Sequence, residues 1–282
     1  MTPIEYIQLS LSEDIGNGDH SSLACIDKMQ QGNMQLIVKQ EGIIAGIEVA
    51  KTVIECVDKH ICMQTFKRDG DFVKKGDIAF TLTGSAQSML TAERTILNYM
   101  QRMSGIATSA HHYVKMVEGT SVTILDTRKT TPNMRWFEKQ AVTIGGAQNH
   151  RFGLFDMIML KDNHIDFAGG IEQAIDKTTN YLKEKQLSLK IEIETRNLED
   201  VKRVLQHGGV HRIMLDNFTP AQIKEALILI KGQYETEASG GITEKTLREY
   251  AETGVDFISV GALTHHIQSI DMSLKFYKNI SC

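Results

Sequence analysis

The stretch IEIETRNLEDVKRVLQHGGVHRIMLDNF (residues 191–218) decides the class of fold. It opens with IEIET, in which isoleucine and glutamate alternate, continues through a segment with apolar residues at helical spacing, and closes on an apolar run, HRIML. A helical segment between two short strands indicates that the strands run parallel and that the helix is the crossover between them. The stretch therefore predicts one strand-helix-strand unit of an α/β protein.

The same order of strand, loop and helix recurs from residue 120 onward. Further apolar runs are SVTIL, FDMIML, TEAS and DFISV, and most of them are followed by an amphipathic segment. The residues Glu194, Asp216, Ser239 and Gly261 close four successive strands, at spacings of 22, 23 and 22 residues. About six such units can be counted, fewer than the eight of a complete barrel. We therefore expect an incomplete or irregular α/β barrel.

The first part of the chain has a different pattern. A helix is predicted near residues 3–13, followed by short strands with tight turns at Asp69-Gly70 and Lys75-Gly76. Between residues 92 and 116 apolar residues recur at helical spacing, which predicts one or two linking helices. The chain thus divides into an N-terminal region of mixed helices and strands and a larger α/β region.

Composition and charge exclude several classes of protein. The 282 residues are 41% hydrophobic and 23% charged, as in ordinary globular proteins, and the net charge of -4 gives no general reason to bind nucleic acid. No apolar run is long enough to cross a membrane and no secretory leader is recognisable, so we expect a cytoplasmic protein that binds neither nucleic acid nor membrane. The cysteines lack metal-site spacing and are interpreted as reduced thiols. They are Cys25, Cys56, Cys62 and Cys282.

Basic residues follow several predicted strands, at the ends that parallel strands bring to one edge. The segment DTRKTT (residues 126–131), for example, comes directly after SVTIL. Cations gathered in one place repel one another unless an anion shares the site, and both arginine and lysine suit carboxylates and phosphates. A local ion-pair network with Asp126, Asp156 or Asp162 is the alternative. The basic residues concerned are Arg128, Lys129, His150, Arg151 and Lys161.

Acidic residues close two neighbouring strands. Glu192 and Glu194 share one side of a strand because side chains alternate along it, and Glu194 lies nearer the strand end. Asp216 ends the next strand. Two carboxylates at neighbouring strand ends suit sugar hydroxyls or Mg2+, which prefers oxygen ligands. Solvated edge charges are the alternative, and it suits Glu192 better than the other two.

Glycine loops follow the last two strands. The segment ASGGIT (residues 238–243) exposes backbone amides at Gly240 and Gly241 before a helix, an arrangement that binds anions. SVGALTH (residues 259–265) repeats the arrangement with Gly261, and His265 at its end could reach a phosphate. Paired glycine loops after the last strands of a barrel commonly bind phosphate.

Taken together, these motifs resemble the quinolinate phosphoribosyltransferase family. The resemblance covers nearly the whole chain, through EDIGNGD, AERTILNYMQRMSGIAT, DTRKTTPNMRWFEKQAVTIGGAQNHRFGLFDMIMLKDNHI, IEIET, IMLDNF, EASGGIT and GVDFISVGALTH. It implies a pentosyltransferase that transfers phosphoribosyl from PRPP to quinolinate with release of pyrophosphate and CO2, giving nicotinate mononucleotide for NAD synthesis. The implied fold is an N-terminal α/β sandwich (residues 1–108, joined by residues 268–282) and an incomplete α/β barrel (residues 109–267).

The resemblance also implies a role for individual residues. Those implied to bind quinolinate are Arg128, Lys129, His150, Arg151 and Lys161, with Arg94 supplied by the neighbouring subunit of a homodimer or higher oligomer. Those implied to bind PRPP are Glu194 and Asp216 at the ribose and Mg2+, and Ser239, Gly240, Gly261 and His265 at phosphate. Either Lys129 or Lys161 is implied to assist decarboxylation.

Two positions depart from the family pattern, because Asn133 and Ala147 stand where the family usually has glycine. Asparagine tolerates left-handed backbone angles, whereas Ala147 puts the local loop geometry in question. The alternatives are a relative with another acceptor, such as nicotinate phosphoribosyltransferase or the ModD-like proteins, and a non-catalytic phosphosugar sensor. The complete basic set argues against the first, and the presence of both Glu194 and Asp216 argues against the second.

Overall fold

The structure is a computed structural model that describes residues 1–278. The chain forms two compact units, the first made of residues 1–111, 130–146 and 262 onward and the second of residues 112–129 and 147–261. The domain boundary expected after residue 108 stays a prediction. Cys25, Cys56 and Cys62 form no disulfide, while Cys282 lies outside the described residues.

The first unit contains a four-stranded antiparallel sheet. Its strands lie in the order β12 (Met272–Phe276), β1 (Gln31–Val38), β5 (Ile78–Ser85) and β3 (Cys62–Thr65), while β2 (Gly42–Ile43) pairs with β4 (Phe72–Val73). Because β12 pairs with β1, the C-terminal segment supplies an edge strand of this sheet. Gly70 and Gly76 have φ angles of +95° and +96°, the left-handed backbone of the tight turns that the sequence predicts.

Helices complete the first unit. They are α1 (Pro3–Ile15), α2 (His20–Cys25), α3 (Ile47–Val57), α4 (Ala86–Met116, which leaves this unit after residue 111), α5 (Arg135–Ile144) and α11 (Ala262–His265). The predicted first helix is confirmed, and the linking segment forms one helix of 31 residues, on which Ile96, Met100 and Met103 are fully buried. Among residues 1–278 no helix combines the length and the apolar character needed to span a bilayer.

The second unit contains the predicted parallel sheet. Its six strands lie in the order β6 (Thr123–Leu125), β11 (Phe257–Ser259), β10 (Glu235–Ser239), β9 (Arg212–Asp216), β8 (Ile191–Thr195) and β7 (Ile158–Leu160), and all neighbours run parallel. The accompanying helices are α6 (Asp162–Ala168), α7 (Ile171–Lys185), α8 (Leu198–His207), α9 (Pro220–Ile230) and α10 (Glu244–Ala251). The predicted α/β architecture with six strands is confirmed.

Local signals explain why residues 191–218 form the unit β8-α8-β9. The Asn197 side chain accepts a hydrogen bond from Asp200 N (2.9 Å) and so caps the start of α8, and Gly208, with a φ of +77°, follows its end. Val201 and Val204 on α8 are completely buried, as is Ile193 on β8. The strand is therefore covered on its apolar side by packed side chains, as parallel strands usually are.

The two departures from the family pattern have different structural settings. Asn133 has a φ of +64°, so asparagine holds the left-handed backbone expected at that position. Ala147 is buried and is not among the described residues with positive φ. Two residues earlier, a Cβ added to Gly145 would lie 2.6 Å from the Cβ of Ala110. Alanine is therefore accommodated at position 147, whereas position 145 requires glycine.

A buried ion pair in the first unit holds the end of the DTRKTT segment. Glu138 on α5 is completely buried, and its Oε1 accepts hydrogen bonds from Arg102 Nε and Nη2, at 2.8 and 2.6 Å. The other carboxylate oxygen, Oε2, accepts from Thr131 N at 3.2 Å, and Arg102 Nη2 also donates to Thr131 Oγ1 at 2.7 Å. Arg102 and Glu138 thus fix Thr131 to α4 and α5.

Replacing Arg102 with methionine should lower the free energy of unfolding by about 3–5 kcal/mol, because Glu138 then stays buried without its cation. Urea unfolding followed by circular dichroism measures this loss. The double variant Arg102→Met/Glu138→Gln is the control and should regain part of it, since no buried charge remains. Equal stability of Arg102→Met and wild type would show that Glu138 does not depend on Arg102.

Candidate active site

The carboxyl ends of the six parallel strands lie at one edge of the sheet in the second unit. Strands β9 and β10 pair so that Asp216 lies opposite Ser239. Strands β8 and β9 pair so that Glu194 lies opposite Met214. Lys161 directly follows β7. The topology therefore brings these strand-end residues to a common edge, as parallel sheets do. We call Lys161, Glu194 and Asp216 the strand-end cluster.

Glu194 is the centre of the strand-end cluster. Its Oε1 lies 3.0 Å from Lys161 Nζ, and its Oε2 accepts a hydrogen bond from Asp162 N at 3.2 Å. The side chain of Glu194 is 11% exposed, so it is largely buried but still reaches solvent. Burial, and next the negative charge of Glu194, raise the pKa of Asp216 above its usual value. The two carboxylates are therefore close enough to repel each other, which favours a bound cation at this edge.

The loop after β10 lies directly against the loop after β9. Asn217 N donates to Ser239 O at 2.8 Å, and Asn217 Nδ2 donates to Asp216 Oδ2 at 2.7 Å. A Cβ added to Gly240, whose φ is +92°, would lie 2.8 Å from Asn217 N, whereas nothing lies within 4 Å of one added to Gly241. Position 240 therefore requires glycine both for its backbone angle and for the close approach of Asn217.

Two of the predicted basic residues affect each other. Burial, and next the positive charge of Arg128, lower the pKa of Arg151. Arg151 is held in part by a hydrogen bond from its Nη1 to Met157 O at 3.1 Å. Lys129 is exposed beside Arg128 in the sequence. Because neighbouring guanidinium groups repel each other, the two arginines favour a bound anion.

Asp126 and Asp156, the alternative ion-pair partners of the basic residues, hydrogen-bond to the backbone. Asp126 is completely buried, and its Oδ1 accepts from His150 N at 2.8 Å. The Asp156 carboxylate accepts from Phe152 N and Gly153 N, at 2.6 and 2.8 Å. The acid that begins DTRKTT therefore supports the segment that carries His150 and Arg151.

His150 belongs to a charged cluster inside the second unit that the sequence analysis did not identify. Its Nε2 lies 2.9 Å from Glu192 Oε2 and 3.4 Å from Glu237 Oε2. Arg212 Nη1 donates to Glu237 Oε2 at 2.8 Å, and the guanidinium of Arg212 lies 3.9 Å from the centre of the Phe257 ring. We call His150, Glu192, Glu237 and Arg212 the buried cluster.

Proton positions in the buried cluster follow from competing effects. Burial, and next the charge of Glu237, raise the pKa of Glu192 to about 7. Burial lowers the pKa of His150, but the two carboxylates outweigh burial and raise it. Arg151 N opposes this rise, because it donates to His150 Nδ1 at 2.7 Å and so requires that nitrogen to be unprotonated. With Nδ1 accepting, the proton of a neutral imidazole is on Nε2, the nitrogen that faces Glu192 at 2.9 Å.

The expectation that Glu192 is a solvated edge charge is wrong, because its side chain is 0% exposed. Glu237 is equally buried. Glu192 lies between two isoleucines in β8 and Glu237 lies between Thr236 and Ala238 in β10, and these neighbours are also buried. A charged residue in such a strand has to be paired, but the sequence carries no signal that identifies the partners.

The structure brings some of the predicted site residues together in the second unit and places others in the first. Arg94 is exposed on α4 in the first unit. His265 is exposed in α11, also in the first unit, with its ring 4.2 Å from that of His266. The predicted residues found in the second unit are Arg128, Lys129, His150, Arg151, Lys161, Glu194, Asp216, Ser239, Gly240 and Gly261.

Protein-family models match the chain in two consecutive parts. Residues 19–104 match the model described as quinolinate phosphoribosyl transferase, N-terminal domain. Residues 106–275 match the model described as quinolinate phosphoribosyl transferase, C-terminal domain. The two matches together cover most of the chain.

Individual relatives agree with the family models. A chloroplastic nicotinate-nucleotide pyrophosphorylase (carboxylating) of Arabidopsis thaliana is 44% identical over 285 residues, which cover 95% of this chain and 81% of the relative. A probable nicotinate-nucleotide pyrophosphorylase (carboxylating) of Bacillus subtilis is 40% identical over 262 residues, 93% of this chain and 89% of the relative. The crystal structure of NadC from Streptococcus pyogenes is similar with a TM-score of 0.92 and 37% identity, over 99% of both chains. The chain therefore belongs to the quinolinate phosphoribosyltransferase family.

Proposed function

We propose that this chain transfers the phosphoribosyl group of PRPP to quinolinate, with release of pyrophosphate and CO2, and so forms nicotinate mononucleotide for NAD biosynthesis. The observation that carries the proposal is the combination, in one unit, of the carboxylates Glu194 and Asp216 with the arginines Arg128 and Arg151. Carboxylates suit a ribose and its metal ion, while arginines suit a doubly negative acceptor. Membership of the family supports the same reaction.

Quinolinate carries two neighbouring carboxylates, and we assign them to the basic residues. Guanidinium groups bind carboxylates through paired hydrogen bonds, so Arg128 and Arg151 are suited to hold one each. Burial, and next the charge of Arg128, lower the pKa of Arg151, and a bound dianion would offset both effects. Lys129 and Lys161 add positive charge without the same directional demand.

The ribose of PRPP and Mg2+ are assigned to Glu194 and Asp216. The donor set fits a hard cation, because both groups offer oxygen and the charge of Glu194 raises the pKa of its neighbour Asp216. When bound, Mg2+ would neutralise charge on the departing pyrophosphate. The carboxylates themselves can stabilise the positive charge that develops at ribose C1 as that bond breaks. Lys161 and the amide of Asp162 hold Glu194 in place for this role.

The phosphate groups are assigned to the glycine loops. Backbone N–H groups in a loop before a helix are suited to anions, and the loop after β10 precedes α10. Ser239 and Gly240 belong to this loop, and Gly261 and His265 follow the next strand. Gly240 keeps the backbone close to Asn217, so the loop has no side chain in the way of a phosphate there.

Decarboxylation follows from the first step. Once the pyridine nitrogen carries the ribose it is positively charged, and this charge stabilises the carbanion left when the adjacent carboxylate departs as CO2. Lys129 or Lys161 assists by its charge or by delivering the proton to that carbon. The two lysines belong to different strand ends, since Lys129 follows β6 and Lys161 follows β7.

Two other functions predict different activities. A transferase specific for nicotinate would act on an acceptor with a single carboxylate and would not need the full basic set. A phosphosugar sensor would bind PRPP without needing both Glu194 and Asp216. The retained residues therefore favour quinolinate transfer, although fold alone does not assign an activity.

An assay with two acceptors distinguishes all three functions. The purified protein is incubated with PRPP, Mg2+ and either quinolinate or nicotinate, and CO2 and pyrophosphate are measured. We expect equal amounts of both products from quinolinate and neither from nicotinate, because the basic residues match a dianion. Pyrophosphate from nicotinate alone would assign the first alternative, and PRPP binding without turnover would assign the second. Glu194→Gln is the matched inactive control.

Assembly and location are part of the proposal. We propose that Arg94, exposed on α4, completes the active site of a neighbouring subunit in a homodimer or higher oligomer. We also propose a cytoplasmic location for this chain. Plant relatives are named chloroplastic or mitochondrial, so fractionation of the source cells is needed to test the location.

Mixing two inactive variants should restore activity if Arg94 acts across subunits. In a heterodimer of Arg94→Ala and Arg151→Ala chains, one of the two sites contains both arginines. Random exchange makes half of the dimers mixed, so about a quarter of wild-type activity should return for a two-fold symmetric dimer. Mixing Arg94→Ala with the double variant is the control and should restore nothing. Proven subunit exchange without recovery would place both arginines in the same subunit's site.

Gly240→Ala should raise the KM for PRPP by about five- to a hundredfold. The added methyl group overlaps Asn217, so the loop has to move, and this movement costs about 1–3 kcal/mol of strain. Gly241→Ala is the matched control, since it also has a positive φ but meets no neighbouring atom. Its effect on KM should be much smaller. Steady-state kinetics with PRPP as the varied substrate measure both, and equal KM values would show that Asn217 can yield.

A further inference from the structure

We propose that His150 is a positioning residue that holds Arg151 in place, rather than a residue that contacts the substrate itself. The inference rests on the proposed function, in which Arg151 binds a carboxylate of quinolinate. It also changes the role that the family resemblance implies for His150.

Both ring nitrogens of His150 are engaged by the chain. Nδ1 accepts a hydrogen bond from Arg151 N at 2.7 Å, and Nε2 lies 2.9 Å from Glu192 Oε2. The side chain is only 5% exposed. A substrate carboxylate needs an N–H donor, but Nδ1 carries no proton in this arrangement and the proton on Nε2 lies towards Glu192. His150 therefore offers a carboxylate no donor without breaking one of these contacts.

Charge also separates His150 from a substrate anion. The carboxylates of Glu192 and Glu237 are completely buried and lie within 2.9 and 3.4 Å of His150 Nε2. A quinolinate carboxylate at the same nitrogen would meet two negative charges, both within 3.4 Å of that nitrogen. Repulsion in a low-dielectric interior would oppose such a contact.

The contacts of His150 instead form a support beneath Arg151. Asp126 fixes the backbone of His150 through its N–H, and the imidazole in turn fixes the N–H of Arg151. Arg212, stacked on Phe257, holds Glu237 at the base of the buried cluster. A fixed backbone limits where the Arg151 guanidinium can point, and a misplaced binding group can cost about a hundredfold in an enzyme.

A metal ion is the other occupant that the buried cluster could have. The ligand atoms of His150, Glu192 and Glu237 all lie within 4.8 Å of one another. However, Arg212 already donates to the Glu237 oxygen that faces His150, at 2.8 Å. A cation would compete with this guanidinium and would displace the proton between His150 and Glu192. We therefore assign a proton, not a metal ion, to the cluster.

Two polar variants of His150 distinguish positioning from direct contact. In asparagine, Oδ1 is as many bonds from Cα as Nδ1 is in histidine, so His150→Asn can still accept from Arg151 N. In glutamine, the amide nitrogen matches Nε2 instead. If His150 acts through Nδ1, quinolinate affinity in calorimetry should stay within about threefold of wild type for His150→Asn and fall about ten- to a hundredfold for His150→Gln. The reverse order would overturn the proposal.

A double-mutant cycle between His150 and Arg151 distinguishes positioning of Arg151 from a general contribution of His150 to the fold. If His150 acts only through Arg151, His150→Gln in an Arg151→Ala background should change quinolinate affinity by no more than about twofold. Independent contacts with the substrate would make the two losses multiply, which would overturn the proposal. PRPP affinity is the internal control and should be unaffected by His150→Gln, whereas a general folding defect would lower both affinities and count against positioning.

Amide exchange keeps this inference separate from the proposed function. In the free protein, the Arg151 amide should be protected from exchange in wild type and His150→Asn and should lose protection in His150→Gln. Failure of wild type to bind quinolinate would reject the proposed function, while the exchange result would still test the contact itself. If the Arg151 amide stays protected in His150→Gln, the proposed contact between His150 and Arg151 is overturned. If the protein binds one divalent metal ion per chain and loses it in Glu192→Gln, the assignment of a proton to the cluster is overturned.

Discussion

The parallel direction of six strands is the constraint on which the candidate site depends. Because all strands run the same way, their carboxyl ends share one edge, and residues separated by 22 or 23 positions in the chain become neighbours there. The pairing of Asp216 with Ser239 is one direct consequence. Reversing or slipping a single strand would move its closing residue away from this edge, so the register of the sheet is itself part of the site.

Beneath that edge, the sheet holds charges that serve its own structure. Glu192, Glu237 and Arg212 lie inside the second unit, and burial makes each of them depend on the others. Such groups are expensive to bury, so each of them has to be paired with an opposite charge. His150 lies between these carboxylates and the amide of Arg151, so under the proposed function the cluster positions the arginine that is assigned to quinolinate.

The DTRKTT segment combines both kinds of support. Its first residue, Asp126, is buried in the second unit and holds His150 N, while its last residue, Thr131, is held in the first unit by Arg102 and Glu138. The cations Arg128 and Lys129 lie between these two held residues in the sequence.

The amino-acid sequence by itself determined the α/β class, the six parallel strands, the identity of the strand-end residues and the family. These depend on periodicity and on motifs that are local in the chain. Only the tertiary structure decided that Glu192 is buried and paired, because alternation along a strand shows which side chains share a face but not whether that face meets solvent or other charges. For the same reason only the structure could place Glu237, Arg212 and His150 together, since ion pairs between strands depend on the register and packing of the sheet.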